Sequence, residues 1–332
     1  MIIPLPPLVD FPKQFDRSLL PSLQPYFDID LDSNDEQERI QWFHNLKALA
    51  EYDLSLAHSV QHSATAKVAV HAGRCSLAKD RVLSAPFNDI IGCVANLKRS
   101  DTLQLVDGRL SGQKNWISNL DVADYCVINV GVDGQSSLIY IDLSSSAHRI
   151  IDDHYTPLGM ESTRPYSLAF DGLEIPSDHV LGISGTQELF AQSNFASYCF
   201  ITNHLGLTRA LFREIKAYAE KNRCGADHDL KKIEMDICGL ELIWQSKLPT
   251  VMETTLTHSF WNERNTQYAV SKKTLIGLVQ LILELGVSYY TDAKSEFSQR
   301  FRDALTYVSH MHALYRFGQE FFMLDLFNER PQ

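Results

Sequence analysis

Apolar and polar positions along the chain follow two rhythms, and the changes between them divide it. Residues 1–34 carry prolines and then acids, and read as an extended arm. Asn34-Asp-Glu-Gln supplies a capping residue and first-turn acids. After it, Trp42, Leu46, Leu49 and Ala50 recur at helical spacing. A second helical run, Leu54 to Val70, is dense in alanine and other small residues, as closely packed helices are. The rhythm shortens after Gly73. Residues 81–182 hold brief runs of Val, Ile and Tyr between turn signals: Val106-Asp-Gly, Val132-Asp-Gly, Phe170-Asp-Gly and Ile175-Pro-Ser-Asp. That punctuation predicts a small β-domain, barrel or sandwich. Beyond about residue 187 helical spacing returns to the end. Candidates lie near 187–222, 228–257, 263–290 and 294–327, which predicts a four-helix bundle.

The expected architecture is therefore α+β and multidomain. An arm over 1–34 leads to an N-terminal helical domain (35–80), a middle β-domain (81–183) and a C-terminal four-helix bundle (187–332).

Charge and cysteine content narrow the partners. With 41 acidic against 30 basic side chains, the net charge of -11 repels a phosphate backbone, so nucleic acid is not an expected partner. The cysteines are scattered singly, without a C-x-x-C pair, which fits a reducing compartment and argues against a zinc ribbon. Met1-Ile-Ile-Pro-Leu-Pro-Pro makes a poor signal peptide, and no long uninterrupted apolar run is present. The expectation is a cytoplasmic protein that crosses no membrane and acts on a small molecule. His58 and His62 stand at i, i+4 but lack the glutamate of an H-E-x-x-H site, and His310 and His312 point apart on a helix. No metal is assigned.

Leu110-Ser-Gly-Gln-Lys-Asn-Trp-Ile-Ser-Asn119, followed by Ala123-Asp124, resembles the G-x-K-x-W-I-S/T-N…A-D run of the acyl-CoA dehydrogenase superfamily. Two later blocks fall in the same order. Leu158-Gly-Met-Glu-Ser-Thr163 with Phe170-Asp-Gly-Leu-Glu-Ile-Pro176 resembles the close of that family's β-domain. Gly206-Leu-Thr-Arg-Ala-Leu with Tyr218-Ala-Glu-Lys-Asn-Arg223 resembles its first long helix. The resemblance implies a flavin, FAD or FMN, with Trp116 as a flat wall against the ring and Ser118 as a hydroxyl donor beside it. Asn119, Ser84 and Arg223 are the other implied flavin residues. It also implies a homodimer or homotetramer, and a flavin reductase or an electron-transfer flavoprotein as partner. By the family's measure the N-terminal helical domain is shortened.

The departures matter as much. Where the family carries T-E-P-x-x-G-S-D, the matching stretch reads Ser84-Ala-Pro-Phe-Asn-Asp-Ile-Ile91, and only Ser84 and Pro86 fit. The family's R-x-x-F-G is reduced to Arg223-Cys-Gly225. Both losses fall on the adenosine half of FAD, which FMN lacks. Ser295-Glu-Phe-Ser-Gln-Arg-Phe-Arg-Asp-Ala304 resembles the family's R-x-x-R-D-A helix. The proton-abstracting Glu of the dehydrogenases is replaced by Met311, whose thioether cannot take a proton. Glu241 is an alternative base. Arg302 to Arg316, with His310 and Tyr315, resembles instead the corresponding helix of flavin-dependent monooxygenases such as the dibenzothiophene monooxygenases. There His310 would move a proton at the flavin's reactive edge, and Arg302 and Tyr315 would face substrate. Three readings stay open: a monooxygenase-type flavoenzyme, an acyl-CoA dehydrogenase with a relocated base acting on a thioester, and a scaffold that has lost flavin and catalysis.

Overall fold

The computed structural model describes residues 36–84, 91–95, 102–132, 135–144, 147–152, 158–183, 187–251, 258–287 and 295–308, with Leu23, Tyr26, Ile29 and Leu31. Helix α1 spans Glu36–Tyr52 and buries Trp42, Phe43, Leu46, Leu49 and Ala50, as their spacing requires. Asp53 breaks the chain and caps α2 (Leu54–Ala72), its carboxylate accepting from the Leu56 amide at 3.0 Å. A third helix, α3 (Ser76–Ser84), crosses the boundary expected at residue 81.

The middle of the chain is a sandwich of two four-stranded sheets. One contains β1 (Gly92–Ala95), β4 (Tyr125–Val132), β5 (Gln135–Asp142) and β8 (Val180–Ile183), with β1 parallel to β4. The other orders β2 (Gln104–Val106), β3 (Arg109–Ile117), β7 (Tyr166–Glu174) and β6 (Arg149–Ile151). Strand alternation explains the layers. Cys126, Ile128 and Val130 of β4 point into the sandwich, while Tyr125 and Val127 pack on Ala66, Val70 and Ala78 of α2 and α3. The Asp107-Gly108 turn has positive φ at both residues, as a tight hairpin demands. Phe170-Asp-Gly behaves otherwise than its sequence suggests. It lies inside β7, where Gly172 takes φ +69° and its amide donates to the Ser111 hydroxyl.

Helices α4 (Gln187–Asn222), α5 (Asp227–Lys247), α6 (His258–Glu284) and α7 (residues 296–308) form the carboxy-terminal bundle. Its apolar interior is continuous with that of α1 and α2. One cluster joins Trp42, Leu49 and Val60 to Phe195, Leu211, Trp244, Leu278 and Ala304. Leu23, Tyr26 and Ile29 belong to the same cluster, with helical backbone at Leu23 and Tyr26, so the segment expected to be an extended arm is packed at these positions. Gly206 explains the closest approach: a Cβ there would stand 2.7 Å from that of Ala50, so α4 can touch α1 only without one. Among the described residues no helix is long and apolar enough to cross a membrane.

Candidate functional site

The Trp116 strand is shaped by two irregularities. At the first, Gly112 has φ +107°, and a side chain there would overlap the Thr102 carbonyl. At the second, β3 advances from Lys114 to Ile117 while β7 moves only from Leu168 to Tyr166, a bulge of one extra residue. The bulge puts Trp116 at φ +59° and leaves it 49% exposed, between the partly covered Asn115 and the buried Ile117. An exposed, backbone-constrained indole is unusual for a residue whose ordinary place is a core. Next to it, Ser118 is buried.

Asn119 ends the strand in the left-handed region and ties three elements together. Its amide donates to the Thr163 carbonyl at 3.3 Å, and its Nδ2 donates to the Ser59 carbonyl of α2 at 2.8 Å. Its buried Oδ1 has no hydrogen-bond partner among the described residues. Thr163 closes the loop 158–163, which docks on α7. The Met160 amide donates to Asp303 Oδ1 at 2.6 Å, and a Cβ on Gly159 would collide with the backbone of Arg302 and Asp303. Three sequence blocks far apart in the chain thus meet at one seam: Trp116–Asn119, Gly159–Thr163 and Arg302–Asp303.

Behind the seam, α2 presents a polar stripe at i, i+3, i+4 and i+7: His58, Gln61, His62 and Thr65, all buried. The spacing was present in the sequence but masked by the small residues around it. Gln61 accepts from Asn203 Nδ2 at 2.7 Å. The His58 and His62 rings lie 4.2 Å apart, and the Tyr307 ring stands edge-on to His58 and His204. Burial, helped by Lys272, pushes His204 down to about 3, so it is neutral at physiological pH, with Nδ1 3.1 Å from the Ser271 hydroxyl. Burial also holds the Tyr307 phenol well above its ordinary range. This interior is polar. Among the described residues no group of three or more His, Cys, Asp or Glu side chains is placed to hold a metal.

Of the other expected site residues, Ser84, Arg223 and Glu241 lie away from the seam. Ser84 is the exposed last residue of α3, its hydroxyl donating to the Asp80 carbonyl of the same helix. Arg223 sits exposed at φ +50° after α4. Glu241 is clamped between Lys47 of α1 and Arg209 of α4, an arrangement that ties up its carboxylate. Arg302, whose backbone meets Gly159 at the seam, turns its guanidinium to Gln299 one turn earlier at 2.7 Å. His310, Met311 and Tyr315 lie outside the described residues.

Solved structures resemble this arrangement over nearly its whole length. Butyryl-CoA dehydrogenase from Megasphaera elsdenii superposes with a TM-score of 0.74 at 12% identity, over 93% of this chain and 88% of that one. The chain has the acyl-CoA dehydrogenase fold. A glutaryl-CoA dehydrogenase in complex with glutaryl-CoA matches with a TM-score of 0.71 at 14% identity, over 90% and 83% of the two chains. TdsC from Paenibacillus sp. A11-2, solved with FMN and indole, gives 0.67 at 16% identity, over 95% and 90%. No family model matches the sequence, and no curated protein matches it. Within this fold, the seam is where the middle sandwich meets the bundle.

Proposed function

We propose that the chain is a flavin-dependent oxidoreductase, with the flavin ring lying flat on Trp116 at the seam between sandwich and bundle. The observation that carries this is the bulged strand. It turns an indole outward at a backbone conformation that costs energy, two residues before a buried hydroxyl and three before an Asn whose Oδ1 has no described partner. Trp116 would exclude water from one ring face, and Ser118 would hold a hydroxyl at the ring edge. A bound flavin supplies two-electron acceptance, or oxygen activation once reduced.

FMN suits the residues better than FAD. Ser84 is engaged within its own helix, and Arg223 stands on an exposed turn. Two observations favour monooxygenase-type chemistry on a small organic substrate over desaturation of a thioester. Met311 occupies the position of the dehydrogenases' base, and Glu241, the alternative, is held by two cations. On this reading His310 moves the proton, Arg302 and Tyr315 line the substrate side, and a separate flavin reductase delivers electrons. A homo-oligomer in a cytoplasmic setting belongs to the same reading.

The test is titration of the purified chain with FMN and FAD, oxidised and reduced, followed by flavin absorbance and fluorescence. FMN is expected to bind, and Trp116→Ala to weaken it about tenfold or more, in line with the worth of an aromatic stack. The half-exposed indole should leave the melting temperature nearly unchanged. Failure to bind either flavin in either redox state overturns the proposal and leaves a non-catalytic scaffold.

A further inference from the structure

We propose that Asp303 is a positioning residue and a proton-sensitive latch: its buried carboxyl fixes loop 158–163 on α7 and, through that loop, the turn carrying Trp116 and Ser118. The link to flavin rests on the function proposed above; the latch itself does not.

The path is continuous and short. Asp303, 3% exposed, accepts the Met160 amide through Oδ1 at 2.6 Å, and the same oxygen accepts Gln299 Nε2 at 2.9 Å. Met160 lies in the left-handed region at φ +59°, a conformation that local sequence does not favour and that a strong external acceptor can hold. Its carbonyl receives both the amide and the hydroxyl of Thr163. The Thr163 carbonyl in turn receives the Asn119 amide, and Asn119 is three residues from Trp116. Gly159 lets this loop press directly on the α7 backbone, so no flexible side chain cushions the joint.

The surroundings make the carboxyl responsive to pH. Burial pushes Asp303 up to about 7; the Met160 and Gln299 donors oppose this, and the neighbouring Asp53 charge adds to it. Arg302, on the same helix, favours the charged form only weakly and bonds Gln299. Asp53, at the start of α2, is itself raised by burial. Arg300 of α7, which acts on Asp53, is paired with Glu214 of α4. A neutral acid keeps Oδ1 as an acceptor, so both bonds survive protonation. Ionisation instead places a charge in a buried site beside a second carboxyl. The sign follows: with a folded value near 7 against 3.8 unfolded, the native chain holds the extra proton between these limits. Stability from this group is therefore complete below about pH 4, declines as pH rises and is gone above about 7.

The experiment is backbone hydrogen exchange of the full chain without flavin at pH 6 and pH 8.5, corrected for intrinsic rates. In the wild type, peptides covering 158–164 and 117–122 should exchange about tenfold faster at the higher pH, the equivalent of one pKa unit. Asp303→Asn keeps the acceptor oxygen but cannot ionise, and should erase that dependence; Asp303→Ala should exchange fast at both. Identical pH dependence in wild type and Asp303→Asn overturns the latch. Should Asp303→Asn fail to fold, carboxyl titration of the wild type by isotope-edited infrared spectroscopy decides: titration near neutrality supports the latch, and an ordinary acidic value overturns it. Flavin titration is read separately. A pH-sensitive seam in a chain that binds no flavin sinks the cofactor reading and keeps the latch. If FMN binds, its affinity should fall above pH 7 in the wild type only.

Discussion

The seam and the outer corner after α4 both carry residues that the family resemblance assigns to a flavin, and they are built differently. At the seam, left-handed backbone at Asn119 and Met160 is held by hydrogen bonds from two other elements, and Gly159 meets α7 without a side chain between them. At the corner, Arg223 adopts the same strained region with an exposed side chain and a weak 3.4 Å amide contact to Glu220. Strain that many partners enforce belongs to a preorganised site; strain on an exposed turn is the ordinary cost of ending a helix without glycine. On the function proposed above, the contrast favours the ring end of a flavin over its adenosine end.

The sharpest way to break the contrast is Gly159→Val. Its Cβ would overlap the Arg302 backbone, and overpacking should cost about 3 kcal/mol, seen as a fall in the urea midpoint. A midpoint within error of wild type would mean the seam is loose. A smaller loss, about 1–3 kcal/mol, is expected for Asn119→Ala, which removes the donor to Ser59 and places Ala at φ +65°. The least effect, and of opposite sign, should come from Arg223→Gly. Relief of φ +50° should stabilise the chain by roughly 0.5 kcal/mol while leaving FMN affinity unaltered. Weaker FMN binding in that variant would restore Arg223 to the cofactor site.

The residues legible in the sequence are those that a fixed backbone demands. Gly112 permits close approach of Thr102, Asp124 accepts the Ile91 amide at 2.7 Å, and Gly206 lets α4 meet α1. Such requirements tolerate few alternatives, so the blocks around them keep their spacing and the fold can be read. Ser84 is less legible, because a Ser and a Pro two residues apart match many loops; it ends α3, and β1 begins eight residues later. Phe170-Asp-Gly has turn chemistry, but a bulge uses glycine in the same way. The polar stripe of α2 was visible as a spacing, yet only tertiary packing shows that α4 and α7 cover it. Asp303 was seen as part of a motif, and its partner could not be, since Met160 lies 143 positions away.

The shared interior of α1, α2 and the carboxy-terminal helices has a consequence for how the chain is made. The sandwich is an excursion that interrupts one all-helical body, so the amino-terminal helices must wait for more than a hundred later residues to emerge before they can be covered. During synthesis their apolar faces stay open, and closure of so long a loop is slow. A ribosome-stalled chain ending before α4 should therefore attract chaperones, whereas one extended past α7 should not.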